Sequence, residues 1–474
     1  MPQRQTPSII RLVVRKFLYA FLLTLGFTGC GSRLPAEIPL LKPMSEDDEV
    51  RISREFRREA KKKLKLVHQL EVERYVDRIG RRLLSVMGPP SFDYRFFVVE
   101  DSQLNAFAVP GGSIYVHTGL IERVKSTDEL AGVLGHELVH VKSRHMARIS
   151  GPDPLSILAL LGVFLSGGGA QAQAAGVLGQ ALSATRQLSY SRQLEQEADT
   201  LGVRYMAEAG YDPRAALGFL KIIDQERILN PVDLPPYLMT HPLTQERVTR
   251  VDAVVHSLRI GASRPEESDS IKKIQTLLRL ERHDADAVIG EYERLLGQNP
   301  QNAEALYMLG LAHEYKSRWP EAQQFLERAR TLKPKSPGID RELGHLYTQI
   351  GEFRSAHEAL DRALSADPKE PLNYLWLGKL FEKESNFPEA VAAFLRAHNL
   401  SPLWPEPPQH LGVVYGKMNR LGDAHYYLAR SHWLADEDEL AIANLERALK
   451  IFGPTTARGQ LIKDELEAIR ARRK

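Results

Sequence analysis

Four glycines, Gly310, Gly344, Gly378 and Gly412, stand 34 residues apart, and Ala322, Ala356, Ala390 and Ala424 keep the same step. So do Pro334, Pro368 and Pro402. A strict period of this length leaves few folds open. Each unit holds two helix-length segments, with a small residue where each helix meets its partner and a proline after the second. One such pair cannot bury its apolar face alone, so consecutive pairs must stack and share a continuous core.

The period is the signature of tetratricopeptide repeats and predicts an all-α stack over residues 268–474. Pro300 closes a degenerate earlier unit, about 269–302, that lacks the glycine and the alanine. Ala441 comes half a period after Ala424, and with Ala448 it precedes "IFGP", so the helix around 423–435 is expected to serve two overlapping units. About five repeats result, with "KDELEAIRARRK" as a polar terminal helix that caps the stack.

Before residue 265 the period disappears and helical spacing alternates with short β-rich runs, giving an α+β, mostly helical fold class with a small sheet. Residues 45–88 run without proline, with acids at the start and Gly88 at the end, as helical segments do. The basic run from Arg57 to Lys65 reads as a solvated helix face. "YRFFVVED" (94–101) and "GSIYVHTGL" (112–120) read as strands. Helical spacing returns over 127–149, where Ser126 caps the start and Glu129 is placed to close a capping box, and again over 184–210. Residues 154–185 carry no charge, but their strongly apolar part, Leu155 to Leu165, falls short of the roughly 20 residues that span a bilayer. This stretch reads as a Gly/Ala-rich flap.

The helix over 127–149 contains "GHELVH". Positions i and i+4 share a helix face, so His136 and His140 are placed to reach one ion. Zinc suits imidazole nitrogen, takes a third protein ligand in catalytic sites and keeps one position open. Glu137 projects beside that position, where a carboxylate takes the proton of a water attacking a peptide carbonyl. On the next helix Glu195 and Asp199 are again i and i+4. Glu195 completes a His₂Glu set, and Asp199 is then placed to orient a ligand imidazole. By spacing alone Glu197 competes with Glu195. His145, five residues past His140, falls off the metal face, and Ser143 and Met146 exclude the metzincin pattern. The competing interpretation is an amphipathic helix with hydrogen-bonded histidines.

"GHELVHVKSRH", "SRQLEQEAD", "NAFAVPGGSIYVHTGL" and "THPLTQER" together resemble the motifs of metallopeptidase family forty-eight, which includes the CAAX prenyl proteases. The resemblance covers roughly 45–258 and implies a zincin-type (gluzincin) metallopeptidase domain over 45–262 holding one zinc ion. It assigns the zinc ligands to His136, His140 and Glu195, the last because the family's glutamate stands four residues before the aspartate of "AD". Glu137 matches the catalytic glutamate. Asp199 matches an aspartate with a proton-donor or supporting role, and support of a ligand histidine is expected here. His241 matches a histidine that in the periplasmic branch approaches zinc and holds the enzyme inactive, because a fourth ligand displaces the attacking water. Arg247 is expected to anchor that loop. Asn105, Ala106, Phe107 and Ala108 read as an edge strand to which a substrate adds one strand, against the simpler reading of a buried sheet strand.

At the N-terminus, Arg4, Arg11, Arg15 and Lys16 precede a 13-residue apolar stretch, residues 17–29, too short to span a bilayer and typical of a secretory signal. Cys30 is the only cysteine, so no disulfide forms within one copy. "FTGC" resembles a bacterial lipobox, with Phe27 where that pattern prefers leucine, and implies acylation of Cys30. A proline-rich tether, 31–44, follows. Loss of residues 1–29 takes the net charge from +3 to −1, leaving no basic field to attract nucleic acid. The resemblances then imply a secreted, latent zinc endopeptidase of a Gram-negative envelope, held at the outer membrane by its lipid. It would degrade misfolded or stalled envelope proteins and assist outer-membrane assembly, its repeats meeting unfolded clients or the assembly machinery. The alternatives are a soluble periplasmic protein, and a repeat-based chaperone or scaffold with little proteolysis.

Overall fold

Proline-free though it is, the stretch 45–88 is two helices, α1 (Glu46–Lys63) and α2 (Leu70–Leu84). The residues between them serve the sheet instead: Leu66 bridges Val99, and Val67 N–H donates to the Val98 carbonyl at 2.9 Å. The computed structural model describes residues 44–149, 191–230, 234–258 and 270–471. The signal segment, Cys30, the tether up to residue 43 and the flap at 154–185 lie outside the described residues.

Three strands, β1 (Arg95–Val99), β2 (Ala106–Val109) and β3 (Ser113–His117), form one sheet of order β1-β3-β2. β1 runs parallel to β3 with Arg95 opposite Ser113, and β2 antiparallel to it with Phe107 opposite Tyr115. The β2–β3 turn needs glycine at Gly111 twice over, for its φ of +84° and because a Cβ would lie 2.2 Å from the Glu49 carbonyl oxygen. The expected second strand stops at His117, where the chain turns into the short helix α3 (Thr118–Arg123).

α4 (Thr127–Lys142) starts at Ser126, whose side chain accepts from Glu129 N–H. The Glu129 carboxylate accepts from Lys125 N–H rather than closing the box on Ser126. The expected run to 149 breaks at Arg144, which takes a left-handed φ of 53°, and α5 (His145–Ile149) restarts beyond it. Such a φ costs a non-glycine residue about 1–2 kcal/mol. Contacts of the Arg144 guanidinium with Glu49 and the Met44 carbonyl offset it.

Then come α6 (Arg192–Glu208), α7 (Ala215–Leu229), α8 (Pro236–Thr240) and α9 (Gln245–Ser257). α4 and α6 cross at two glycines: a Cβ on Gly202 would lie 3.1 Å from the His136 nitrogen, and one on Gly135 3.3 Å from the Gly202 carbonyl oxygen.

Beyond Ser270, helix pairs stack in sequence: Ile271–Glu281 with Ala285–Gln298, Ala303–Tyr315 with Trp319–Leu332, Pro337–Ile350 with Phe353–Ala366, Pro371–Lys383 with Phe387–Leu400, and Glu406–Lys417 with Leu421–Leu434. The repeating glycines have a steric origin. A Cβ on Gly310, Gly344, Gly378 or Gly412 would lie 2.5–2.6 Å from Leu326, Leu360, Phe394 or Leu428 of the paired helix. The turn after each first helix carries a left-handed residue, at 283, 317, 351, 385 and 419, again 34 apart. Asp436 and Gly453 then follow at intervals of 17. Leu421–Leu434 therefore packs both on Glu406–Lys417 and on Asp438–Phe452, and Ala457–Ala471 closes the stack by burying Ile462, Leu466 and Ile469.

Residues 43–474 form one compact unit, and charge joins its two halves. The basic run is solvated at Lys62, Lys63 and Lys65, but not at Arg57. Arg57 donates through Nε at 2.6 Å and through NH2 at 2.8 Å to the two carboxylate oxygens of Asp436, both side chains under 10% exposed. Arg58 pairs with Asp438, and Lys61 Nζ lies 3.4 Å from Glu437. Local spacing on α1 could not reveal this, because the acidic turn that covers it lies nearly 380 residues away. Arg78 meets the buried Glu370 at 2.9 Å, and fully buried Lys273 lies 3.1 Å from Glu71 and 2.8 Å from Glu342.

Two outcomes follow from this packing. Gly202→Val forces a branched side chain into the α4–α6 crossing and is expected to destabilise by about 1–3 kcal/mol, lowering the urea midpoint. Gly290→Val, at a position open on all sides, is expected to stay within about 0.5 kcal/mol of wild type; equal losses for the two contradict the crossing argument. Glu406, at the joint between the halves, has its carboxyl pushed from 4.5 up to about 7 by burial and by Glu73, and its Oε2 receives no hydrogen bond. A raised folded-state pKa contributes stability below about pH 4.5 that is lost as pH climbs through about 7. Glu406→Gln removes that loss, so stabilities from urea unfolding are expected to diverge between about pH 4.5 and 7 in the variant's favour and to stay apart above it, by about 1–2 kcal/mol.

Candidate metal centre

The close approach at Gly135 and Gly202 sets two helix faces against each other. His136 and His140 project from α4, and Glu195, Asp199 and Gly202, spaced i, i+4, i+7, line one face of α6. A third element, the turn after α8, brings in His241, whose N–H donates to the Tyr237 carbonyl at 2.8 Å.

Four donor atoms converge. His136 Nε2 lies 3.0 Å from His140 Nε2 and 3.3 Å from His241 Nδ1. Glu195 Oε1 lies 2.9 Å from His241 Nδ1 and 3.4 Å from His140 Nε2. A tetrahedron with bonds of 2.0–2.1 Å has edges of about 3.3–3.4 Å, so these four atoms have the spacing of one coordination shell. All four residues are buried. Three imidazole nitrogens and one carboxylate oxygen form a donor set suited to a borderline ion, and among the described residues His136, His140, Glu195 and His241 form the most deeply buried such cluster. Glu197, the competitor by spacing, faces away toward Arg148 and His145.

Glu137 stands beside the cluster, fully buried, with neither carboxylate oxygen hydrogen-bonded. His241 Nε2 is 3.5 Å from its Oε1. Burial pushes the Glu137 carboxyl up, against the pull of His241 and His136. Such an acid is poised to exchange a proton with whatever occupies that spot.

Charge behind the cluster is balanced. Asp199 lies 3.0 Å from His136 Nδ1, which fixes the tautomer that leaves Nε2 free. Arg247 donates to both oxygens of Asp199 at 2.8 Å, reaches Glu195 at 2.8 Å, and holds the Pro242 carbonyl at 3.2 Å. Burial opposes ionisation of Asp199 and Glu195. The partners outweigh it, His136 and Arg247 for Asp199 and His241 and His136 for Glu195, so both carboxyls stay below their ordinary values. Burial holds His140 well below the ordinary imidazole value, the neutral form a ligand needs.

Two supporting residues go unassigned in the sequence reading. His145 Nδ1 lies 2.9 Å from His140 Nδ1, because the left-handed Arg144 folds the chain back; no helical spacing signals such a break. Tyr237 stacks against His241 at 4.6 Å between ring centroids, and its i, i+4 relation to His241 was visible in the sequence. Ala106, Phe107 and Ala108 belong to β2, an outer strand of the sheet, Asn105 directly precedes it, and all four are buried.

Residues 71–255 match Peptidase family M48, and residues 275–337 and 341–403 match the tetratricopeptide repeat. Residues 390–470, within the same helical stack, also match the Est1 DNA/RNA binding domain. A Vibrio cholerae serotype O1 relative is 36% identical over 186 residues, 37% of each chain. The Beta-barrel assembly-enhancing protease of Escherichia coli (strain K12) is 32% identical over 220 residues, 45% of each chain, and the mitochondrial metalloendopeptidase OMA1 of Schizosaccharomyces pombe 32% over 180 residues, 38% of this chain and 51% of that one. The chain thus spans less than half the length of the bacterial relatives it matches. With the HExxH helix, the glutamate helix and the stacked pairs all in place, residues 71–255 carry a Peptidase family M48 domain, and C-terminal tetratricopeptide repeats follow it.

Proposed function

We propose that this chain is a zinc-dependent endopeptidase of the bacterial envelope, held latent by His241. The observation that carries the reading is the buried four-donor cluster with the Glu137 carboxylate, which takes no hydrogen bond, beside it. His136, His140 and Glu195 would hold the ion, and His241 would occupy the position that a catalytic site leaves open. When bound, zinc supplies Lewis acidity toward a peptide carbonyl and acidifies water. Glu137 takes and returns the proton; Asp199, braced by Arg247, orients His136; His145 supports His140. The substrate backbone would add to the β2 edge at Asn105–Ala108.

The relatives' name supports clients drawn from outer-membrane or periplasmic proteins that are misfolded or stalled, with assistance to β-barrel assembly through the repeats. A signal at 1–29, acylated Cys30 and attachment to the outer membrane complete the proposal, with domain limits at 45–262 and 268–474. Among the described residues no helix is long and apolar enough to cross a membrane. The sealed cluster favours one competing function, a repeat-based chaperone or scaffold that seldom cleaves.

Metal content and casein cleavage separate these. Wild type is expected to hold one zinc per chain and cleave slowly, His241→Ala to cleave faster, and Glu137→Gln to keep zinc while losing at least about 100-fold in cleavage rate. Stoichiometric zinc with no cleavage by wild type or His241→Ala supports the chaperone instead, and absence of zinc refutes both the site and its latch.

A further inference from the structure

The two histidines of α4 each turn one ring nitrogen away from the cluster, and those two nitrogens are backed differently. His136 Nδ1 meets a carboxylate directly, Asp199 at 3.0 Å, which Arg247 holds from behind at 2.8 Å. His140 Nδ1 meets a ring instead, His145 Nδ1 at 2.9 Å. Beyond that ring a second carboxylate and arginine stand in the same order. His145 Nε2 lies 3.4 Å from Glu197 Oε2, an electrostatic contact rather than an aligned hydrogen bond, and Arg148 donates to the same oxygen at 3.1 Å. The His145 side chain is fully buried, and that of Glu197 is 35% exposed. An unbroken helix would carry a residue five positions past His140 off its face; the left-handed turn at Arg144 brings His145 back behind it.

Ring chemistry then fixes where the protons are. A neutral imidazole has one donor nitrogen and one acceptor. With Nε2 of His140 given to an ion, its proton sits on Nδ1, so Nδ1 donates and His145 Nδ1 accepts. The proton of His145 is left on Nε2, facing Glu197. We propose that His145 and Glu197 are positioning residues for the metal centre: His145 fixes the tautomer of His140, and the charge of Glu197, acting through the His145 ring, raises the basicity of His140 toward zinc. Glu197 thus serves the same ion as Glu195, from two rings away rather than by ligation. Of the two arms that of His136 is the stronger, because Asp199 is buried against its ring while Glu197 is partly screened by water. The proposal rests on His136, His140 and Glu195 holding zinc, and its test reads zinc affinity without any cleavage.

Competition with a chromophoric chelator measures the zinc affinity of the full chain. His145→Phe keeps a ring but removes the acceptor, and is expected to weaken zinc about ten-fold or more. Asparagine places its Oδ1 where histidine has Nδ1 and has nothing at the Nε2 position, so His145→Asn is expected to restore most of that loss. Glu197→Gln, a change at a partly exposed position, is expected to weaken zinc about three-fold in the wild-type chain. In the His145→Asn chain the same substitution is expected to do nothing, because the ring that links charge to ligand is gone. Glu208→Gln removes one charge from an exposed position of the same helix and is expected to leave zinc affinity unchanged. Asp199→Asn is expected to cost more than Glu197→Gln. Zinc bound by wild type and equally well by His145→Phe overturns the proposal and leaves the zinc site standing. So does a Glu197→Gln effect that only equals that of Glu208→Gln or that persists in His145→Asn. No zinc in wild type overturns the site and its positioning residues together.

Discussion

Everything at the metal centre depends on two helices approaching more closely than side chains normally allow. With no Cβ at Gly135 or Gly202, α4 and α6 touch backbone to backbone, and short side chains from both then meet at one point. The approach buries Glu137, Glu195 and Asp199 among three histidines, and burial of that much charge is tolerable only where each group has an opposite. Arg247 supplies the counter-charge from a third element, so α9 is as necessary to the site as the two helices that carry the ligands.

The repeats are part of the same physical problem. Arg57, Arg95 and Asp436 form an ion cluster withdrawn from solvent, and Asp436 adopts the left-handed turn that puts the stack out of step by half a period. Where earlier units have Pro334, Pro368 and Pro402, this unit has Asp436. The departure from the period is thus the place where the repeats grip the peptidase, and one residue serves both ends.

What the sequence discloses is what is local. The 34-residue step is legible because each glycine answers a large side chain 16 residues on, and the i, i+4 pairs His136/His140 and Glu195/Asp199 because a helix face is periodic. His145 stays off the metal face as its spacing implies, but its contact with His140 is not legible, because its position depends on one left-handed arginine held by Glu49 and Met44, far off in sequence. The solvated reading of Arg57 to Lys65 holds for Lys62, Lys63 and Lys65 and fails at Arg57 for the same reason, its acidic complement being nearly 380 residues distant. Glu195 and Glu197 are indistinguishable by spacing and part company only when Arg148 and His145 claim the latter.

The latch reading carries an energetic consequence. His241 ends α8, and withdrawing it takes along Tyr237 and Leu238, both buried. Exposing two such side chains costs about 1.5–3 kcal/mol each before any ligand bond is counted. An open state about 3–6 kcal/mol above the closed one is populated well below 1% of the time. On that reading thermal opening alone would give very slow cleavage, and faster turnover would require a client whose binding energy is available only in the open state. Arg247 need not move with the latch: Thr244 caps α9 independently by accepting from Arg247 N–H at 3.2 Å, so Pro242 and Leu243 can hinge while the salt bridge to Asp199 stays in place.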